Sequence, residues 1–258
     1  MLDMALDPLT SWETFAHSWD KGMGDEGNDY FRFLELPILE KLVARWLAQK
    51  AASVIATDGA VSMIDRAKAR TDTSQYPNRI SFHCLDVTKQ SSWDTFMVNT
   101  RLMDGFDVIT MNMALMDIQD LGPLARSLKQ LLKPNGCFVA TLLHPLFFTS
   151  GAARQIVVHE DPETGRRVVD RSIVLRKYLN VPPARQLVFE GETESPYMFH
   201  RPLNQLFAPF FQAGLVVDAL EETNFDESFR DPLREHASKN FTEFPKILGF
   251  RMRPVSEI

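Results

Sequence analysis

The sequence predicts an α/β fold built on a mostly parallel sheet with helices on both of its faces. Short runs of apolar and β-branched residues alternate along the chain with helical patterns of about ten residues or more. Such alternation is typical of βαβ units, because parallel strands need a long crossover connection. With 258 residues, of which 45% are hydrophobic, the chain is long and apolar enough to bury the core of one large domain.

Short apolar runs mark the strands of this sheet. Between residues 53 and 143 the predicted strands are Ser53–Thr57, Ile80–Leu85, Phe106–Met111 and Cys137–Leu143. Helical patterns at Val61–Arg70 and Leu121–Leu132 separate them. Near the C-terminus, Leu215–Leu220 and Lys246–Met252 are predicted to complete the sheet as an antiparallel edge.

The other segments are predicted to surround this sheet within a single domain, residues 1–258. Residues 1–50 are predicted to form a helical lid, in which Pro37 divides a long helical pattern into two helices. Residues 51–150 hold the core of the sheet, and residues 151–200 are an insertion with a β-hairpin. Residues 201–258 add the C-terminal helices and strands, including a predicted helix at Glu227–Ser238.

Composition excludes several classes of protein. The formal charge of −6 argues against a general nucleic-acid binder, which needs a basic surface. No run approaches the roughly 20 apolar residues that span a bilayer, and the acidic N-terminus does not resemble a secretory signal. Cys84 and Cys137 lie in predicted strands, where we expect buried free thiols and a cytoplasmic location. No metal-ligand spacing or phosphate-binding loop is present in the sequence, so we expect no bound metal.

Polar residues follow the predicted strands at the points where ligands bind in open α/β sheets. Asp58 ends one strand and Asp86 the next, while Asn112 and His144 follow the third and fourth. An ionised carboxylate offers two acceptor oxygens, so Asp58 suits the hydroxyl groups of a ribose and Asp86 suits an adenine amino group. Each Asp alone is more often a helix N-cap or a loop residue than a ligand contact. Together they favour an adenosine-type ligand.

Several of these segments resemble the class I S-adenosylmethionine-dependent methyltransferases. The run Ala52–Arg70 is similar to the second strand and following helix of that family, and Phe82–Val87 resembles its adenine-binding segment. Gly105–Ile118 and Leu131–Val139 resemble its fourth and fifth strands. Tyr197–Leu203 is similar to a segment of the type 11 branch that faces the acceptor.

The resemblance implies a Rossmann-like, doubly wound fold and methyl transfer from S-adenosylmethionine to a small-molecule acceptor. The residues that it places around the cofactor are Asp58, Gly59, Met63, Asp86, Val87, Asn112 and Met113. Those on the acceptor side are Trp19, Tyr30, Arg32, Tyr197 and Arg201. Where the acceptor must lose a proton, His144 and His200 are the candidate bases. Neither the acceptor nor the oligomeric state follows from the sequence.

One departure from the family concerns the central first strand of the sheet and the glycine-rich loop after it. In this chain the helical pattern Leu36–Gln49 runs almost directly into Ala51–Thr57, so the strand and loop are predicted to be missing. The gene model could have lost an exon, the protein could be a shortened relative with a different ligand, or the N-terminal helices could close the gap. The alternative function is therefore a methyltransferase-like protein that does not methylate, either a catalyst of rearrangement or cyclisation or a binding protein.

Overall fold

The computed structural model describes residues 8–42, 53–71, 79–100, 104–185 and 195–255. The α-helices are α1 (Pro8–Met23), α2 (Val61–Arg70), α3 (Gln90–Thr100), α4 (Gly122–Leu131) and α5 (Leu203–Gln212). The first four strands are β1 (Val54–Asp58), β2 (Ile80–Cys84), β3 (Phe106–Asn112) and β4 (Leu132–Leu143). The others are β5 (Ala153–Glu160), β6 (Arg167–Val174), β7 (Ala184–Arg185), β8 (Tyr197–Met198), β9 (Leu215–Thr223) and β10 (Ile247–Pro254). None of the helices described is both long and apolar enough to cross a membrane.

The described strands confirm the predicted α/β fold with a parallel-rich sheet. β1 pairs with β2 in parallel, and β3 pairs with β4 in parallel. In the larger piece the strand order is β3-β4-β10-β9, with β10 antiparallel to both of its neighbours. The reversed strand β10 is therefore an inner strand, and β9 forms the edge. The predicted hairpin is also confirmed, because β5 and β6 pair in antiparallel fashion.

The two pieces of the sheet each end at an open strand. Among the described residues, β1 pairs only with β2, and β3 pairs only with β4. The strand that is predicted to be missing would stand in the sheet between β1 and β3. Residues 43–52, which precede β1, lie outside the described residues. The missing strand therefore stays a prediction.

The main core lies between the larger sheet piece and helices α4 and α5. Phe138 of β4 is fully buried, and its ring stacks on that of Phe210 with the two centroids 5.8 Å apart. The ring of Phe250 in β10 meets the Phe138 ring edge-on, with the two centroids 6.2 Å apart. Helix α4 adds Leu124, whose side chain is buried in this core. Because β3 pairs with β4, this packing also holds β3, whose carboxyl end contributes to the site described below.

The N-terminal segment contradicts the predicted division at Pro37. Residues 29–42 are continuously helical, and a π-helical turn (Phe31–Glu35) ends two residues before the proline. A proline inside an α-helix has no N–H to donate, and its ring collides with the carbonyl four residues earlier. In the π turn the Leu36 N–H instead reaches the Phe31 carbonyl, five residues back. This wider turn lets the helix continue past Pro37.

Gly249 of β10 allows this N-terminal helix to pack closely on the sheet. A methyl group at position 249 would overlap Cγ2 of the buried residue Ile38. We expect Gly249→Ala to lower the free energy of unfolding by about 1–3 kcal/mol, measured by urea denaturation, because the core must shift to make room.

A double-mutant cycle supplies the control for this prediction. If overlap with Ile38 is the cause, Gly249→Ala will cost less in an Ile38→Ala background. Equal costs in the two backgrounds would contradict the explanation.

Other differences from the predicted elements have local causes. The predicted helix at Glu227–Ser238 is wrong: only the short 3₁₀ turns Glu227–Phe229 and Ser238–Asn240 form there. Side chains of Asp226, Asp231 and Asn240 bind nearby backbone groups and so compete with a helix. Cys137 is buried as predicted, but Cys84 is exposed, because β2 is an edge strand of the described sheet.

Candidate functional site

A cavity of about 780 Å³ lies at the carboxyl ends of β1, β2 and β3. Its floor comes from the three strand ends, and α1 and the π-helical turn contribute to its walls. The volume falls within the range of roughly 300–1,000 Å³ that is typical of small-molecule sites. Parallel strands bring their carboxyl ends to one edge of the sheet, which explains why residues distant in sequence meet here.

All the residues that the resemblance places around the cofactor line this one cavity. They are Asp58, Gly59, Met63, Asp86, Val87, Asn112 and Met113. Trp19, from the predicted acceptor side, lines it as well. The cavity therefore combines two carboxylates at neighbouring strand ends with an aromatic wall from the N-terminal helix.

Asp58 ends β1 and turns the chain into α2. Its Oδ1 accepts a hydrogen bond from the Ala60 N–H at 2.8 Å, which fixes the side chain at the start of the helix. Burial raises the pKa of the Asp58 carboxyl above its usual value, and the bond from Ala60 offsets this only in part. A raised pKa means that the carboxylate lacks solvation, so donors from a ligand would stabilise it.

Asp86 ends the neighbouring strand region and is held more tightly by the protein itself. Its Oδ1 accepts bonds from the backbone N–H and the hydroxyl of Thr88, at 3.0 and 2.6 Å. Its Oδ2 lies 2.9 Å from the Lys89 ammonium. Partial burial acts to raise the pKa of Asp86, but the bonds from Lys89 and Thr88 outweigh it and lower the pKa. A ligand amino group would therefore share Asp86 with Lys89.

Asn112 and Met113 end β3 in a constrained turn. Met113 has a positive φ of 52°, a backbone conformation that non-glycine residues adopt rarely. Its N–H donates to the Thr141 carbonyl at 2.9 Å, and the Thr141 hydroxyl donates to Asn112 Oδ1 at 2.5 Å. β4 thus fixes the turn and the Asn112 side chain at the cavity.

Glu35 is a residue of this cavity that the sequence analysis missed. It ends the π-helical turn, lines the cavity and is only 4% exposed. Asn112 Nδ2 donates to its Oε2 at 2.8 Å. Burial raises the pKa of the Glu35 carboxyl, and the bond from Asn112 counters this in part. Glu35 lies four residues after Phe31, on the apolar face of a helical pattern. A charged residue on that face is the sequence signal that could have identified it as a site residue.

His144 and His200, the candidate bases, do not line the cavity. His144 Nδ1 accepts from the Leu146 N–H at 3.2 Å, so Nε2 carries the proton and donates to Glu222 Oε1 at 2.7 Å. His200 Nε2 donates to the Tyr178 carbonyl at 2.6 Å, and Nδ1 lies 2.8 Å from the Thr149 hydroxyl. In this arrangement the His144 ring is neutral, and both nitrogens of each ring are engaged.

The burial of these histidines predicts a loss of stability in acid. Burial lowers the pKa of His200 below its usual value of about 6.5. The unfolded chain therefore takes up a proton before the folded one does, and stability falls as the pH falls through that value, by at most about 1.4 kcal/mol per pH unit for this group. We expect His200→Gln to lose less stability than the wild type between pH of about 7.5 and about 5.5, in urea denaturation. Equal losses in both proteins would exclude His200 as the cause.

The remaining predicted acceptor-side residues lie outside the cavity wall. The Tyr30 hydroxyl lies 2.9 Å from the Ser238 hydroxyl, and the exposed Arg32 lies 3.6 Å from Glu26. The Tyr197 ring packs against the Arg185 guanidinium, with the Arg185 Cζ 4.5 Å from the ring centroid.

Arg201 supports the cavity from behind. It donates to the carbonyls of Leu115, Phe199 and Gln119 at 3.4, 3.3 and 2.7 Å, and also to that of Ile118. The loop that it holds continues into residues 117–120, which line the cavity. Arg201 therefore does not line the cavity itself but holds the loop that does.

Comparison with known proteins agrees with this geometry. Residues 38–140 match the type 11 family model that is described as a methyltransferase domain. A search of the curated proteins finds no match. An S-adenosylmethionine-dependent methyltransferase from Mesorhizobium loti is 21% identical, with a TM-score of 0.54 over 81% of this chain and 84% of the other.

A second solved structure covers nearly the whole molecule. The CcbJ methyltransferase from Streptomyces caelestis is 15% identical, with a TM-score of 0.54 over 97% of this chain and 100% of the other. Identities this low carry the fold alone. The family match over residues 38–140 and these shared folds together confirm the resemblance: the chain has the fold of class I S-adenosylmethionine-dependent methyltransferases, and part of it is similar to the type 11 family model.

Proposed function

We propose that this protein transfers a methyl group from S-adenosylmethionine to a small-molecule acceptor. One observation carries the proposal: Asp58, Asp86 and Asn112, at or just after the ends of β1, β2 and β3, converge on a single cavity of about 780 Å³. The family match and the shared fold support the same reaction class.

The donor groups in the cavity fit the adenosine part of the cofactor. Asp58 would accept hydrogen bonds from the ribose hydroxyls, and Asp86 would accept one from the adenine amino group. Apolar side chains of Met63, Leu85 and Val87 line the same region and would exclude water from the base. When bound, S-adenosylmethionine supplies an electrophilic methyl group on a sulfonium.

On the acceptor side, this chain would act mainly by positioning. A displacement in line with the breaking bond is accelerated chiefly by holding the nucleophile close to the carbon in the correct direction. Trp19 lines the cavity and would contact the acceptor, while Tyr30, Arg32 and Tyr197 would support the surrounding wall. His144 or His200 could accept a proton from the acceptor only after giving up one of the bonds that engage both ring nitrogens.

Calorimetric titration with S-adenosylhomocysteine tests the proposal. We expect saturable binding with one molecule per chain. If a folded, monodisperse sample shows no binding, the non-methylating alternative takes its place. That alternative depends on the predicted loss of the first strand. Residues 43–52, where this loss is predicted, lie outside the described residues.

A further inference from the structure

We propose that the carboxylate of Glu35 binds an alkylammonium group of a ligand in the cavity. The group would be either the amine of the acceptor or the α-ammonium of the methionine part of the cofactor. This inference rests on the proposed function, because it takes the cavity to be the site of methyl transfer. The inference goes further in two respects: it names Glu35 as a residue that recognises the ligand, and it predicts that the recognised group is positively charged.

Glu35 is held in place before any ligand binds. Asn112 turns its amide nitrogen towards Glu35 Oε2 at 2.8 Å, and its amide oxygen accepts from the fully buried hydroxyl of Thr141. The chain Thr141–Asn112–Glu35 thus has a fixed direction, with donors pointing towards the carboxylate. An orientation in which an amide donates to Glu35 favours the ionised carboxylate, which can only accept.

The protein supplies no cation to this carboxylate within the described ranges. No Lys, Arg or His in that part of the chain forms an ion pair with Glu35, although it is 96% buried. A buried carboxylate with one amide donor is poorly compensated, so a ligand cation would gain a strong, desolvated partner. Asp58 of the same cavity adds to its negative potential, whereas the charge of Asp86 is balanced by Lys89.

Aromatic side chains share the cavity with Glu35. Trp12, Trp19 and Phe31 line it, and the Trp12 and Trp19 rings meet edge-on with centroids 5.6 Å apart. Aromatic faces attract alkylammonium groups more than neutral groups of the same shape. A carboxylate and aromatic rings in one cavity are the combination that selects an amine over an alcohol.

The first experiment asks whether the ammonium belongs to the cofactor. S-adenosylhomocysteine carries the α-ammonium, whereas 5′-methylthioadenosine has the same adenosine but no amino-acid part. Both are titrated calorimetrically into the wild type and into Glu35→Gln. The variant keeps the shape of the side chain and its bond to Asn112. If Glu35 holds the cofactor, S-adenosylhomocysteine will bind about tenfold or more weakly to the variant, with methylthioadenosine unchanged.

The second experiment asks whether the ammonium belongs to the acceptor. Benzylamine and the neutral benzyl alcohol are titrated into the protein, with and without S-adenosylhomocysteine. If Glu35 receives the acceptor amine, the wild type will prefer benzylamine by about tenfold or more, and Glu35→Gln will lose the preference. Glu35→Asp keeps the charge on a shorter side chain and is expected to keep part of the preference.

Matched controls separate this role from general effects of charge and folding. Glu40→Gln removes the same charge from an exposed position on the same helical segment, and it should change none of these ratios. Thermal unfolding checks that each variant is folded. If Glu35→Gln does not fold, the benzylamine preference of the wild type and of Glu35→Asp still decides the question.

The outcomes distinguish this inference from the proposed function. Two results in Glu35→Gln support the inference: weaker binding of S-adenosylhomocysteine alone, or loss of the preference for benzylamine. The first assigns the ammonium to the cofactor and the second assigns it to the acceptor. Unchanged ratios in both experiments, with normal binding of the nucleosides, overturn it while leaving the proposed function in place. If the wild type binds neither nucleoside, the proposed function fails, and the benzylamine comparison without nucleoside still tests Glu35.

Discussion

Replacement of Asp58 by alanine is expected to weaken the binding of S-adenosylhomocysteine about 100-fold, or about 3 kcal/mol. The carboxylate is half-buried at the end of β1, with Oδ1 accepting a hydrogen bond from the Ala60 N–H. Two charge-assisted bonds to ribose hydroxyls would be lost together. Calorimetric titration of the wild type and the variant measures the difference directly.

Two comparisons make this result specific. Asp65→Ala removes an exposed carboxylate from α2, beside the cavity, and should leave the affinity unchanged. Asp86→Ala should weaken binding less than Asp58→Ala does, because Asp86 already bonds to Thr88 and Lys89 and gains less from a ligand. An Asp58→Ala variant that binds as tightly as the wild type would contradict the assignment of the ribose site.

Arg201→Met is expected to lower the free energy of unfolding by about 3 kcal/mol, because three partly buried carbonyls would lose a donor and each such loss costs about 1 kcal/mol or more. The guanidinium of Arg201 donates to four carbonyls, three of them in residues 115–119. Since this loop continues along the cavity, the affinity for S-adenosylhomocysteine should fall as well. Urea denaturation and calorimetric titration measure the two effects.

An arginine at an exposed position provides the control for Arg201. Arg176→Met should change stability by no more than about 0.5 kcal/mol, because Arg176 lies at the surface. Arg201→Lys keeps the charge but cannot reach all the carbonyls at once, so an intermediate loss is expected. If Arg201→Met is as stable as the wild type, the guanidinium does not hold the loop.

The cofactor side of the site could be predicted from sequence because it follows from the sheet. Strands end where their apolar runs end, so Asp58, Asp86 and Asn112 could be placed at one edge from local pattern alone. The structure places all three at one cavity. The resemblance to a known family added Met63, which lies beyond the strand end and would not have been found from the pattern of strands.

The parts that could not be predicted depend on contacts distant in sequence. Glu35 is a site residue because the N-terminal segment folds back onto Asn112, 77 positions later in the chain. Both nitrogens of His200 are engaged by Tyr178 and Thr149, which no local pattern indicates. The continuity of the helix past Pro37 likewise depends on a π turn that the sequence does not announce.

The two N-terminal segments that wall the cavity differ in how they are fastened. Leu34, Ile38 and Leu42 of the second segment are buried in a cluster with β4 and β10, and exposing each would cost about 1.5–3 kcal/mol. Helix α1 is joined to α2 by the Asp20–Arg66 ion pair and by hydrogen bonds that the Glu13 carboxylate accepts from the backbone N–H groups of Val61 and Ser62. Phe15 and Ala16 of α1 are themselves buried, so α1 is anchored by apolar packing as well as by these polar contacts. Glu35 belongs to the second segment, so the position of its carboxylate is set by packing on β4 and β10 and does not depend on α1.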